Sequence, residues 1–253
     1  MSPLLHRVAV LGYPRTGTNL LASGLSSLPA FTFHPEPFNP KGVHLARGMP
    51  RPTPEERDAD PLAFLRRLEA ACATPILGIK LLPSHAPEVR RHVITDPAWR
   101  IIVLFRPNFL AVHASHLTAM LTGAWVQNER AEVGPPPKLG FNPQRFHAAR
   151  EAFRRYYEEV LRALDAAGKP FLPINYIDLL NPVMLRNAAR HAGASGPIET
   201  GSRLVKQGSW DVLSRFKDPA LVEATLASIG RANWAIEGGA SMAEAMQDIA
   251  APA

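Results

Sequence analysis

The chain has 253 residues, 46% hydrophobic and 20% charged, long enough to fold without disulfides or a structural metal. Its single cysteine, Cys72, excludes an intrachain disulfide, and no apolar run reaches the roughly 18 residues of a membrane span. The net charge of +6 comes from arginines scattered along the chain rather than from a basic tract, which favours a small anionic ligand over nucleic acid.

The first residues, Met1 to Arg7, lack the apolar core of a signal peptide, so a cytoplasmic location is expected. Residues 7–11 read as a short strand, followed by the glycine loop Gly12 to Asn19 and a helix from Leu20 to Leu28. Helices are expected at 61–73, 109–121, 144–167, 182–192, 219–230 and 241–250. Asn181, Pro182 and Gly193 supply the cap, first turn and stop of the helix at 182–192. Apolar runs at 76–82 and 100–105 read as buried strands, and 171–175 as an edge strand because Pro173 cannot complete a central ladder. Pro-rich stretches at 47–61 and 131–143 read as loops, placing insertions near 38–60 and 122–143 of a single domain over 1–253. Apolar strands alternating with helices predict an α/β fold of three layers, a mainly parallel sheet flanked by helices.

A strand, then Gly12-x-x-x-x-Gly17, then a helix is the arrangement of a phosphate-binding loop. Nucleoside triphosphatases end this loop in Gly-Lys-Ser/Thr, whereas here Thr18 and Asn19 follow Gly17 and the one charge is Arg15. Such a loop can hold a phosphate but lacks the lysine and hydroxyl used on a magnesium-bound triphosphate. His113 and His116 are three apart on one predicted helix, without a third ligand at zinc spacing, so no metal is expected.

The segment Tyr13-Pro14-Arg15-Thr16-Gly17-Thr18-Asn19 resembles the 5′-phosphosulfate loop of sulfotransferases that use 3′-phosphoadenosine 5′-phosphosulfate (PAPS). These enzymes share the P-loop fold without its magnesium chemistry. The resemblance implies that Pro14 to Asn19 bind the donor, that Arg15 stabilises the leaving group, and that Arg106 and Ser115 grip its 3′-phosphate. Arg106 follows the strand 101–105, at the edge where open α/β sheets bind ligands. It also aligns Lys206 with the loop that closes over the donor, and Tyr176 with a strand-to-helix segment that packs the core.

Many sulfotransferases carry a catalytic histidine where this chain has Leu82. The segment Phe33-His34-Pro35-Glu36-Pro37-Phe38 instead resembles the Pro-x-Glu-x-Phe stretch of bacterial carbohydrate sulfotransferases of the trehalose and nodulation-factor type, which makes Glu36 the expected general base. Prolines and phenylalanines around it can raise its pKa. His34 and His85 are the reserve bases, and Lys80 and His85 are candidate contacts to sulfate or acceptor. The expected activity is sulfuryl transfer from PAPS to a hydroxyl, with a saccharide or glycolipid as the suggested acceptor class. A P-loop kinase for a small metabolite and a non-catalytic basic nucleotide- or nucleic-acid-binding protein are the alternatives.

Overall fold

The computed structural model describes residues 5–125, 137–198 and 209–250. The chain divides into two compact units, Met1–Phe105 with Glu159–Val205 and Arg106–Glu158 with Lys206–Ala253.

The first unit is built on a five-stranded sheet in the order β2-β3-β1-β4-β5, with every pairing parallel. The strands are β1 (His6–Gly12), β2 (Phe31–His34), β3 (Ile76–Leu81), β4 (Trp99–Phe105) and β5 (Phe171–Asn175). Val8 to Leu11 and Ile101 to Leu104 are wholly buried, as expected of strands covered on both faces. One face carries Val8, Val10, Phe33, Ile102, Leu104 and Ile174 against α1 (Thr18–Ser26) and α7 (Pro182–Ala192). The opposite face carries Ala9, Ile79, Ile101 and Val103; there Arg7 of β1 donates to Glu69 of α3 (Pro61–Ala70) at 3.0 Å, and α4 (Pro87–Thr95) packs on β4. The helices that follow neighbouring strands β1 and β3 thus leave to opposite faces. That divergence makes the carboxyl ends of the two strands a topological switch point, the usual ligand position in open α/β sheets.

Pro173 sits in the edge strand β5, paired with Val103, where its missing N–H breaks no second ladder. Asn181 accepts a hydrogen bond from Val183 N at 2.9 Å, and Gly193 closes α7 at φ +112°. Three elements go beyond the sequence reading. Phe31–His34 is an edge strand only four residues long. The Pro-rich stretch 47–61 contains α2 (Pro54–Asp58), which starts on a reciprocal Thr53–Glu56 capping box. Residues 87–95 form α4, with Pro87 at its first position.

The second unit contains α5 (Phe109–Thr122), most of α6 (Pro143–Ala166), α8 (Pro219–Ser228) and α9 (Met242–Ala250). Phe109 packs against Phe146 and Phe153, with ring centroids 5.5 and 5.0 Å away. The side chain of Asp248 accepts from Arg150 and Arg231, and its carbonyl accepts from Arg154 at 2.6 Å. Among the described residues no helix is long and apolar enough to cross a membrane.

A Cβ at Gly78 of β3 would lie 2.2 Å from Phe33 Cδ2 on the neighbouring strand. Gly78→Ala should therefore force Phe33 off its rotamer and destabilise the protein by about 1–3 kcal/mol. Urea unfolding measures this, and a loss below about 0.5 kcal/mol would mean that the edge strand yields without strain.

Candidate functional site

The glycine loop connects β1 to α1 at this switch point. A Cβ at Gly12 would lie 2.6 Å from Thr18 Cγ2, so strand and helix approach too closely for any side chain there. The turn that follows is tied by Thr16, whose N and Oγ1 both donate to Tyr13 O, at 3.2 and 2.7 Å. Pro14 is half-buried in this turn, while Thr16 and Thr18 are buried. Arg15 has φ +71°, the only left-handed non-glycine conformation among the described residues. Such backbone conformations cluster where a ligand or reaction needs them.

Gly17 caps α1 at φ +92°, and a Cβ on it would strike the Tyr176 ring at 2.6 Å. The loop is thus seated on Tyr176, which packs the core as the sequence suggests. No side chain caps α1 and no acid lies in its first turn. By contrast α2, α3, α5, α7 and α8 are capped by Thr53, Asp60, Asn108, Asn181 and Asp218. The first turn of α1 therefore presents its backbone N–H groups with neither a side-chain cap nor an acid of its own.

Lys80 pairs with Val10 across the β3–β1 ladder, which directs its side chain to the α1 face. It is only 1% exposed, and its ammonium donates to Asn19 Oδ1 and, at 2.6 Å, to Glu36 Oε1. Glu36 enters from the segment after β2, where its backbone forms an antiparallel bridge with His44. Its other carboxylate oxygen accepts from Asn39 Nδ2 and stands 4.0 Å from His85 Nε2. A row Asn19–Lys80–Glu36 thus runs from the first turn of α1 to a carboxylate that His85 flanks.

Arg57 holds this segment in place. It is 1% exposed, donates to Asn39 O at 2.6 Å and to Pro37 O at 3.4 Å, and forks onto Asp58 at 2.7 and 2.8 Å. The sequence reading singled out neither Arg57 nor Asn39. The Thr53-x-x-Glu56 signature marks the helix that carries Arg57, but nothing local marks its acceptors on the Glu36 loop.

Burial alone would raise the Glu36 carboxyl. The charge and hydrogen bond of Lys80, the Asn39 amide and His85 outweigh it and hold the group below the usual carboxylate value. This is the reverse of the expected direction. Burial lowers Lys80, against the pull of Glu36, and the Arg15 guanidinium pushes it the same way. His85, lowered chiefly by burial to about 4, is neutral at physiological pH, and its buried Nδ1 has no hydrogen-bond partner among the described residues. His34 is likewise lowered by burial to about 4. Its Nδ1 accepts from Ala46 N at 3.1 Å, and its register beside Ile79 places it on the sheet face opposite Lys80.

The remaining candidates lie in the second unit or outside the described residues. Arg106 directly follows β4 and is buried, with a two-pronged contact to Glu237 at 2.9 and 2.8 Å. Arg215 reaches the same carboxylate at 3.3 Å. Ser115 is half-buried in α5. Lys206 lies outside the described residues. The structure therefore gathers Asn19, Glu36, Lys80 and His85 beside the glycine loop, while the Arg106 fork is engaged by a carboxylate the sequence reading did not identify. Among the described residues no three His, Cys, Asp or Glu side chains converge as metal ligands would. No protein-family model matches this chain, and no curated protein is significantly similar to it.

Two outcomes follow from burial. His34 and His85 take up protons near 6.5 in the unfolded chain but only at about 4 in the folded protein. Unfolding therefore binds protons between those values, and stability falls as pH drops through that window, by up to about 3 kcal/mol per group. The Glu36 contribution is present above its ordinary value and disappears at still lower pH, so the two effects add. Urea unfolding from about pH 7 to pH 4.5 checks this, and a flat profile would refute the burial of neutral histidines. Separately, Arg106→Ala strips most of the charge compensation from buried Glu237 and should destabilise by about 3 kcal/mol. Recovery in the Arg106→Met/Glu237→Leu pair would identify the contact as a structural ion pair.

Proposed function

We propose that the protein transfers a sulfuryl group from PAPS to a hydroxyl acceptor, with the glycine loop holding the donor's phosphosulfate and Glu36 taking the acceptor's proton. The observation that carries this reading is the hydrogen-bonded row Asn19–Lys80–Glu36, which puts a carboxylate next to the glycine loop. The acceptor O–H bond breaks as its oxygen attacks sulfur, and the proton passes to a Glu36 oxygen. The sulfur–oxygen bond to the 5′-phosphate breaks at the same centre, and adenosine 3′,5′-bisphosphate leaves with the electron pair. Arg15, Lys80 and the loop amides face the charge that builds on the departing phosphate, the place where electrostatic stabilisation acts most strongly. Sulfuryl transfer needs no magnesium, in keeping with Thr18 and Asn19 at the positions where triphosphatases carry lysine and a metal-binding hydroxyl. Saccharides and glycolipids are the acceptors to try first, on the strength of the Pro35-Glu36-Pro37-Phe38 resemblance.

The test is transfer of radiolabelled sulfate from PAPS to a panel of saccharides and glycolipids with a chelator present. Label should move without metal, and Glu36→Gln should lower turnover at saturating donor by about 10²–10⁴-fold, the usual contribution of a general base. His85→Asn should cost far less, because no hydrogen bond joins its imidazole to the carboxylate. Magnesium-dependent ATP turnover with no sulfate transfer would give the site to a kinase instead. A Glu36→Gln enzyme that keeps more than about a tenth of its turnover would move the base elsewhere.

A further inference from the structure

We propose that Lys80 is a shared cation: in the resting protein it neutralises Glu36, and an oxyanion arriving at the glycine loop draws it away and leaves the carboxylate ready to accept a proton. The proposal rests on the reading that the loop takes an anion, but not on which anion that is.

An ammonium group carries three N–H donors. Lys80 uses two, to Asn19 and Glu36, so a third donor of an ammonium that is 1% exposed has no acceptor among the described residues. A buried charged donor left without an acceptor is costly, and an entering oxyanion supplies one. The positions of its partners define where that anion would come. Asn19 lies in the first turn of α1 behind the glycine loop, and Arg15 of the loop is close enough to press on the Lys80 charge. A lysine stem lets its head pivot between neighbouring acceptors without moving the strand that bears it.

The chemical consequence concerns Glu36. Facing it are Lys80 from β3, His85 beyond β3 and Asn39 from its own segment, with Arg57 of α2 fixing Asn39 from behind. Of these, Lys80 is the strongest influence holding the carboxyl below its ordinary value, and burial opposes it. With Lys80 drawn to an anion, burial prevails and the carboxylate becomes the better base. Acceptor activation is then conditional on donor occupancy. By reciprocity, whatever factor the anion adds to proton affinity at Glu36, protonation of Glu36 adds to anion affinity.

Calorimetric titration with inorganic sulfate, and separately with adenosine 3′,5′-bisphosphate, tests the idea on four proteins: wild type, Glu36→Gln, Lys80→Met and the double variant. Glu36→Gln should tighten binding about tenfold when Lys80 is present, within the usual range of site coupling, and less than about twofold in the Lys80→Met background. Equal tightening in both backgrounds would mean simple repulsion by the carboxylate and overturn the sharing, as would no tightening at all. Sulfate showing the cycle while the nucleotide fails to bind would keep Lys80 as the shared cation and remove PAPS as the donor. Failure of both ligands to bind would end both ideas. Should Lys80→Met not fold, wild-type protein still decides. In ¹³C-carboxyl spectra, with the Glu36 signal assigned by its loss in Glu36→Gln, saturating sulfate should raise the titration midpoint by about one pH unit, the same tenfold coupling in its reciprocal form. An unmoved midpoint refutes the proposal.

Discussion

A lysine ammonium buried at the carboxyl end of an all-parallel sheet needs a counter-charge, and much of the first unit's loop architecture answers that need. β3 pairs with β1 so that Lys80 stands level with Val10 and points at α1. Only a carboxylate brought in from outside the strand can neutralise it there, and Glu36 does so from the segment after β2. That segment has few regular backbone bonds, so its position depends on the bridge to His44 and on Arg57, whose guanidinium holds Pro37 and Asn39. Arg57 in turn depends on the short capped helix α2 and on Asp58. Buried ion pairs of this kind add little net stability over well-packed apolar residues of the same volume. A helix, a buried arginine and a bridged loop are thus committed to one such pair.

Much of this was legible in the sequence where the signal is local. Continuous apolar runs mark β1, β3 and β4, Pro173 marks β5 as an edge, and Asn181 with Gly193 brackets α7, because each is read within a few residues. β2 is harder: four residues, Phe-Thr-Phe-His, are too few for a periodic signal, and the pairing that places Phe33 opposite Gly78 on β3 is not local. Glu36, Lys80 and His85 are each visible as candidates, but their meeting is not. It depends on the register of β2 against β3, set between residues more than forty positions apart. The expected rise in the Glu36 carboxyl failed for the same reason, since its apolar neighbours are local and the lysine that overrides them is not. Glu237 lies beyond any such reading, 131 residues from the arginine it binds.

The contact between Arg106 and Glu237 changes what that arginine can be asked to do. Its fork fits a carboxylate as well as a phosphate, and the carboxylate already there is wholly buried. A second arginine, Arg215, shares the same acceptor, and Asn108, the N-cap of α5, holds the carbonyls of Trp234 and Ile236 just before it, both at 2.9 Å. Glu237 is therefore locked by its own backbone neighbours as well as by charge. A phosphate placed at Arg106 would meet a guanidinium whose charge is largely neutralised, so the resemblance carries less weight at this motif than at the glycine loop.

The two candidate bases beside the loop differ in what burial does to them. Burial keeps an imidazole neutral by making it a poorer base, and His85 at about 4 has little affinity for a proton at physiological pH. Burial makes a carboxylate a stronger base, and in Glu36 only its hydrogen-bonded and charged partners, Lys80 foremost, reverse this. Removing the Lys80 charge would raise both groups, since it lowers His85 as well. The gain is larger for the group in direct contact, and Glu36 Oε1 is 2.6 Å from the ammonium whereas His85 makes no hydrogen bond to it. Proximity to the Lys80 ammonium, more than residue type, thus separates the two groups. It leaves Glu36 as the group whose proton affinity depends most on Lys80, and His85 as a neutral neighbour that flanks it.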